Sequence, residues 1–350
     1  MIRVCREQKG LSQEELGQKI GVTRQTIAAW EKNERTPSLE QLGRIAQALG
    51  VALDILLGTA AATEPTLLFR ADMPSVLSAE LRLYLTRKAE DYAVVEQLTG
   101  SIPVIPESRP VTGYDFYAIE SFAREIRDWL GVEDAPLGDV LTLLEAKGLK
   151  IIPQSLPNQV SGFSAYTNDL GGVIFINSSH PTERQYFTAL HELAHLIFHR
   201  KEYENPGPKA KGTDPRETLA NHLAGAALLP KPFVEAELSA YRNKWIPFPL
   251  LRDMKYRYSV SMRTILYRAE QIGIISKKLM GVQMGKLNAF SREREPYELP
   301  APHALRRLER LTYRSLLEEK ITTSRAAEIL GTPLIKVREE LAKWCEGAPH

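Results

Sequence analysis

Apolar residues recur along this chain mostly at helical spacing, and the breaks between those runs outline its units. Leu16, Ile20, Val22, Ile27 and Trp30 follow Ser12 and straddle Gly21, predicting two short helices joined by a tight turn, a helix-turn-helix. Ser38 with Gln41 opens another helix bearing Leu39, Leu42, Ile45, Ala46 and Leu49, and Val51 to Leu57 supplies a last one. Residues 58–65 are small and polar enough for a linker, after which Leu81, Leu85, Ala89, Tyr92 and Val95 predict a connector helix from Ser78 to Leu98. The proline-rich stretch from Ser101 to Pro110 ends it. Apolar residues in Gly162 to Tyr166 and Gly172 to Asn177, around Asn168-Asp169 and Gly171-Gly172, predict a hairpin. Pro181, Thr182 and Gln185 then announce, in the manner of a capping box, a helix through Phe187, Leu190, Leu193, Ala194, Ile197 and Phe198. A further helix starts at Asp214-Pro215, and one over Val260 to Ile275 packs on the core, whereas Lys277 to Pro302, punctuated by Gly and Pro, reads as a loop or extended crossing. Thr323 to Val337, with Gly331 at the turn, again has a helix-turn-helix pattern, which fits a second DNA module or a small bundle packed on its neighbours.

The candidate chemistry sits on the helix after the hairpin, as His191-Glu192-Leu193-Ala194-His195. Two histidines four apart share a helical face and can bind one metal, and the glutamate between them can take a proton from water. A catalytic zinc needs a third protein ligand and an open position. Glu217 is the candidate, near the start of the Asp214-Pro215 helix, with Asn221, Ala224 and Leu228 on its face, so that Asn221 can hold a ligand in place from behind. The competing role for Glu217 is a reciprocal cap with Asp214. His199 is a rival ligand that also suits the negative end of its helix, and His222 points about 100° away from Asn221, toward the surface or a supporting role. Tyr166, His222, Tyr258 and Arg268 are candidates to stabilise an oxyanion, each with a structural reading beside the catalytic one.

From about Ala123 to Ile275 the chain resembles the ImmA/IrrE metallopeptidases. The resemblance rests on Ala123-x-x-Ile126-x-x-x-Leu130-Gly131, Leu143-Leu144-Glu145-x-x-Gly148-Leu149, the two-histidine helix, and Glu217-x-x-Ala220-Asn221-x-x-Ala224-x-x-x-Leu228-Leu229-Pro230. It implies a Zn2+ enzyme that cuts a partner transcriptional repressor, with His191, His195 and Glu217 as ligands and Glu192 as general base. Leu223 stands where that family commonly has an aromatic residue, a packing difference. Zinc is also preferred by ligand type, although these side chains suit Mn or Fe as well.

Residues up to Leu57 resemble the Xre family of phage-repressor-like DNA-binding domains. Gln13 and the free start of the second helix, Thr23, Arg24, Gln25 and Thr26, are the expected DNA contacts. Fold and DNA contact are separate expectations: residues 1–57 hold eight Lys/Arg and seven Asp/Glu, so no strong basic field supplies phosphate affinity, and only nine residues precede Gly10. Protein docking is the other use of such a unit.

These readings give a mostly helical α+β chain with four divisions. They are a helix-turn-helix domain (1–57), a linker and connector (58–110), a zincin-like peptidase domain with a small antiparallel sheet (111–285) and a C-terminal helical region (286–350). At 350 residues and 43% hydrophobic, the chain can bury the cores this requires. No apolar run is long enough to span a membrane, no secretory segment is evident, and two cysteines, Cys5 and Cys345, suit a reducing cytoplasm. Cys345 is also a candidate inhibitory thiolate for the metal's open position. With 45 basic and 43 acidic residues the net charge neither requires nor excludes nucleic acid. The expected activity is a regulatory protease acting on an Xre-type repressor, with DNA as a second partner and a homodimer compatible with the sequence. The alternative is a DNA-binding regulator or antitoxin-like protein whose metal domain senses without cutting; a general base beside an open site favours the protease.

Overall fold

Serine caps and left-handed glycines set the helix boundaries of the N-terminal unit. The computed structural model describes residues 1–51, 53–57, 77–101, 105–109, 114–200, 214–289 and 294–346. Its first unit contains α1 (Ile2–Gln8), α2 (Gln13–Ile20), α3 (Arg24–Glu31), α4 (Leu39–Leu49) and α5 (Leu53–Leu57). Ser12 and Ser38 form capping boxes with Glu15 and Gln41, while Gly21 and Gly50 close α2 and α4. Leu16, Ile27, Ile45 and Leu49 are wholly buried between these helices. The expected linker at 58–65 lies outside the described residues. The connector is α6 (Ala79–Thr99), capped by Ser78 and ended by Gly100.

The central unit contains α7 (Phe116–Leu130), α8 (Val140–Ala146), β1 (Lys150–Gln154), β2 (Gly162–Thr167), β3 (Gly171–Asn177), α9 (Thr182–Phe198), α10 (Pro215–Leu228), α11 (Lys231–Leu238), α12 (Phe248–Tyr258), α13 (Met262–Gln271) and α14 (Lys277–Asn288). Its sheet has the order β1-β3-β2. The predicted hairpin forms, with Phe163 opposite Phe175, but β1 joins parallel to β3, so the sheet is mixed rather than wholly antiparallel. Strand alternation divides its side chains between two cores. Ile151, Ile174 and Ile176 pack toward α9, whereas Ile152, Phe163, Ala165, Val173 and Phe175 pack with α6 and the N-terminal helices.

Two local expectations differ from the structure. Thr182 and Gln185 make no capping box: Thr182 Oγ1 donates to the Pro300 carbonyl at 2.8 Å and Gln185 Nε2 to that of His180 at 2.7 Å. The start of the stretch expected as a loop is α14, because Ser276 caps it and Leu287 and Gln283 are buried, Gln283 donating to the Ile246 carbonyl at 2.8 Å. These contacts outweigh the helix cost of Gly281 and Gly285.

The C-terminal segment forms α15 (Arg307–Leu317), α16 (Thr323–Leu330) and α17 (Leu334–Glu346), with Gly331 left-handed at the turn. It packs on the connector and the first unit. Arg325 pairs with Asp91 of α6 at 2.5 Å, and a Cβ on Gly50 would lie 2.5 Å from the carbonyl carbon of Gly331. Glu96 of α6 is a buried bolt that binds Lys150 of β1 at 2.6 Å and Arg307 of α15. The Cys345 side chain lies outside the described residues. No helix among the described residues is long and apolar enough to cross a membrane.

Candidate metal centre

Burial of Leu190, Leu193, Ala194 and Ile197 fixes the rotation of α9, and His191 and His195 consequently rise from one stripe toward α10. Asp214 caps α10 by accepting from Arg216 N at 2.9 Å, with Pro215 in its first turn. The Glu217 carboxylate faces the histidines: Oε2 is 3.2 Å from His191 Nε2 and Oε1 is 3.3 Å from His195 Nε2. The two Nε2 atoms are 3.0 Å apart. Among the described residues these three side chains are the cluster with metal-ligand spacing, every donor atom within 4.8 Å of the others.

The remote ring nitrogens are also engaged. His191 Nδ1 lies 3.0 Å from Asn221 Oδ1, one turn beyond Glu217, and His195 Nδ1 lies 2.9 Å from His199 Nδ1. A proton shared with Asn221 Oδ1 leaves the His191 Nε2 lone pair facing the cluster. His199 thus stands behind His195 as well as ending α9. Two imidazoles with anchored rings and one carboxylate fit a zinc ion with a position to spare.

Glu192 is held from the sheet, where Ser164 Oγ of β2 donates to its Oε2 at 2.5 Å. The strand can come this close because of Gly162, whose added Cβ would lie 2.5 Å from the Phe175 carbonyl oxygen and 2.7 Å from Thr188 Cγ2 of α9. Gly162, Ser164, Phe187, Glu192, Glu217 and Asn221 line a cleft of about 390 Å³. Ser164 was not among the candidates from sequence; its alternation with Phe163 and Ala165 was the available signal. His199 was visible through its spacing of four from His195.

His222 is buried rather than at the surface. Its Nδ1 lies 2.9 Å from Tyr114 Oη and its Nε2 lies 2.7 Å from Glu120 Oε1, while Arg268 Nη1 donates to the same oxygen at 2.7 Å. Burial alone would raise the Glu120 pKa, but hydrogen bonds from His222 and Arg268 hold it down at about 2. The other oxyanion candidates are engaged elsewhere: Tyr258 Oη donates to Glu237 at 3.0 Å, and Tyr166 Oη reaches Asn168 at 3.4 Å under the Arg200 guanidinium.

In the N-terminal unit, Arg24 and Gln25 are exposed at the start of α3. Thr23 caps that helix, its hydroxyl accepting from Thr26 N at 3.3 Å and lying 2.9 Å from Thr26 Oγ1. Gln13, another expected DNA contact, donates its side-chain amide at 2.8 Å to Glu31, which also binds Arg6 at 2.6 Å.

Residues 2–56 match a helix-turn-helix family model, and residues 144–270 match the model of the IrrE N-terminal-like domain. Over 50 residues, 14% of this chain and 72% of the relative, the chain is 56% identical to an uncharacterized HTH-type transcriptional regulator of Methanothermobacter thermautotrophicus. It is 42% identical over 53 residues to the uncharacterized HTH-type regulator YgzD of Bacillus subtilis, covering 15% of this chain and 80% of that one. A solved Mycobacterium tuberculosis transcriptional regulator aligns at TM-score 0.33 and 16% identity; the alignment spans about half of each chain, 51% in both cases. The N-terminal segment is a helix-turn-helix regulator domain, and the chain joins this Xre-like domain to an IrrE/ImmA-like peptidase domain.

Proposed function

We propose that this chain is a zinc-dependent endopeptidase that cleaves a transcriptional repressor, with residues 1–57 directing it to DNA and residues 111–285 carrying the chemistry. The observation that carries the reading is the approach of the Glu217 carboxylate to both His191 and His195 beside a Glu192 held by Ser164. His191, His195 and Glu217 would hold the metal. When bound, zinc supplies Lewis acidity toward a water and the scissile carbonyl. Glu192 accepts the proton of the attacking water and returns it to the departing amine nitrogen. Ser164 fixes one carboxylate oxygen of Glu192, which leaves the other for that transfer. Among the described residues β2 is an edge strand, and its Gly162 and Ser164 line the cleft, so an extended peptide can pair along it and lie across Glu192.

The test uses the purified full chain, zinc and the repressor encoded beside its gene. Cleavage by the native chain, abolished in Glu192→Gln with zinc content unchanged, is the expected result. Cleavage that persists in that variant removes Glu192 as the base. A native chain that binds zinc and DNA yet leaves the repressor intact favours the sensing alternative.

A further inference from the structure

A second cavity, of about 430 Å³, lies where the first unit, the connector, β1 and the C-terminal helices meet. Its volume falls in the usual range for small-molecule sites. Lys9 of α1, Lys88 of α6 and Lys336 of α17 line it, with Tyr84, Tyr92 and Thr332.

The lysines converge. A methyl group added at Gly331 would be 3.0 Å from Lys9 Nζ and 3.3 Å from Lys88 Nζ, so both ammonium groups approach one point. Each donates to a carbonyl at the end of α16: Lys9 to Gly331, and Lys88 to Ile329 at 3.1 Å. Among the described residues no ion pair joins Lys9, Lys88 or Lys336 to a carboxylate.

The acids in and near the cavity are largely committed. Glu145 accepts from the backbone of Arg306 and Arg307, Glu340 pairs with Lys343 at 2.5 Å, and nearby Asp91 pairs with Arg325. Glu309 is the remaining acid of the wall. Burial, then the neighbouring Lys88, pushes the Lys9 ammonium down to about 8, and burial lowers Lys88 as well. Two desolvated cations held side by side by neighbouring carbonyls repel one another, and an anion between them would relieve that repulsion.

We propose that this cavity binds a small phosphorylated molecule, with its phosphate among Lys9, Lys88 and Lys336 and its body against Tyr84 and Tyr92. Charge-assisted contacts from lysine suit phosphate oxygens. Because three parts of the chain supply the walls, an occupant would set how tightly the C-terminal helices clamp the N-terminal unit. Repressor cleavage need not occur for this site to exist.

Isothermal titration of the full chain with inorganic pyrophosphate and with AMP, in chloride buffer of constant ionic strength, tests the assignment. Saturable binding is expected, weakened about tenfold or more in Lys9→Met and Lys88→Met, as loss of one charged contact implies. Lys336→Met removes an exposed side chain, so it keeps the test readable if a buried-lysine variant fails to fold. Binding of equal strength in the native chain and Lys336→Met, or no saturable binding of either probe into the millimolar range, overturns the proposal.

Discussion

Replacing Glu120 by glutamine removes one charge and keeps the shape of the side chain, which isolates the energy of the His222–Glu120–Arg268 network. Its pKa falls from an ordinary 4.5 to about 2 in the folded chain, because the hydrogen bonds from His222 and Arg268 outweigh burial. At about 1.4 kcal/mol per pH unit, the charged form contributes about 3 kcal/mol to folding at pH 7. With the side chain 18% exposed, that figure is a ceiling. A depressed carboxylate pKa stabilises fully above the unfolded-state value, and the contribution is lost as pH falls through the folded one, here between about 4.5 and 2. Urea unfolding followed by tryptophan fluorescence should place Glu120→Gln about 3 kcal/mol below the native chain at pH 7, with a gap about 1.4 kcal/mol smaller at pH 3.5. All other carboxylates titrate in both proteins and cancel. A gap that stays constant over this window would refute the charge argument, whatever its size.

Three further outcomes follow from the centre. Asn221→Ala removes the Asn221 contact to His191 Nδ1 and should weaken zinc binding about 10- to 100-fold in a competitive chelator titration, with the fold kept by circular dichroism. Gly162→Ala places a methyl against the Phe175 carbonyl and Thr188, so urea unfolding should report a loss of about 1–3 kcal/mol; an unchanged midpoint would mean that β2 does not pack as closely on α9. Zinc added to chelator-treated protein at about 100 times its Kd should stabilise it by about 2.7 kcal/mol, read as a rise in Tm that Glu217→Ala largely removes.

The parts legible in sequence were those whose physics is local. The caps at Ser12 and Ser38, the helix that starts at Ser78 and the spacing of His191 and His195 depend on neighbours within a turn or two, and each appears where the pattern put it. Glu217 was legible because Asp214-Pro215 fixes the phase of α10. β1 was not predicted, because its apolar run is too short for periodicity to separate strand from helix, and its pairing partner, β3, lies about twenty residues further on. α14 was hidden for a related reason: Gln283 and Leu287 reward the helix only after it docks beside Ile246. Ser164 could be placed on a strand, but nothing in the letters said which face would meet Glu192. The lysine cavity needs α1, α6 and α17 together, contacts more than three hundred residues apart in sequence.

The sheet explains how a helix-turn-helix unit and the candidate metal cleft can share one chain. Small sheets commonly leave one face to solvent, whereas here Ile174 and Ile176 lie in the α9 core and Val173 and Phe175 in the core of the N-terminal unit. On β2 the division falls between adjacent residues. Phe163 stacks on Phe175 with ring centroids 4.8 Å apart, on the N-terminal side, while Ser164 holds Glu192 on the other. One peptide bond separates them, and strand geometry turns their side chains to opposite faces. Any change that repacks the N-terminal core around Phe163 must therefore move the backbone of Ser164 or strain it, because close-packed interiors transmit displacement rather than absorb it. The strand that would guide a substrate and the contact that orients the proposed base are built on the back wall of the helix-turn-helix unit.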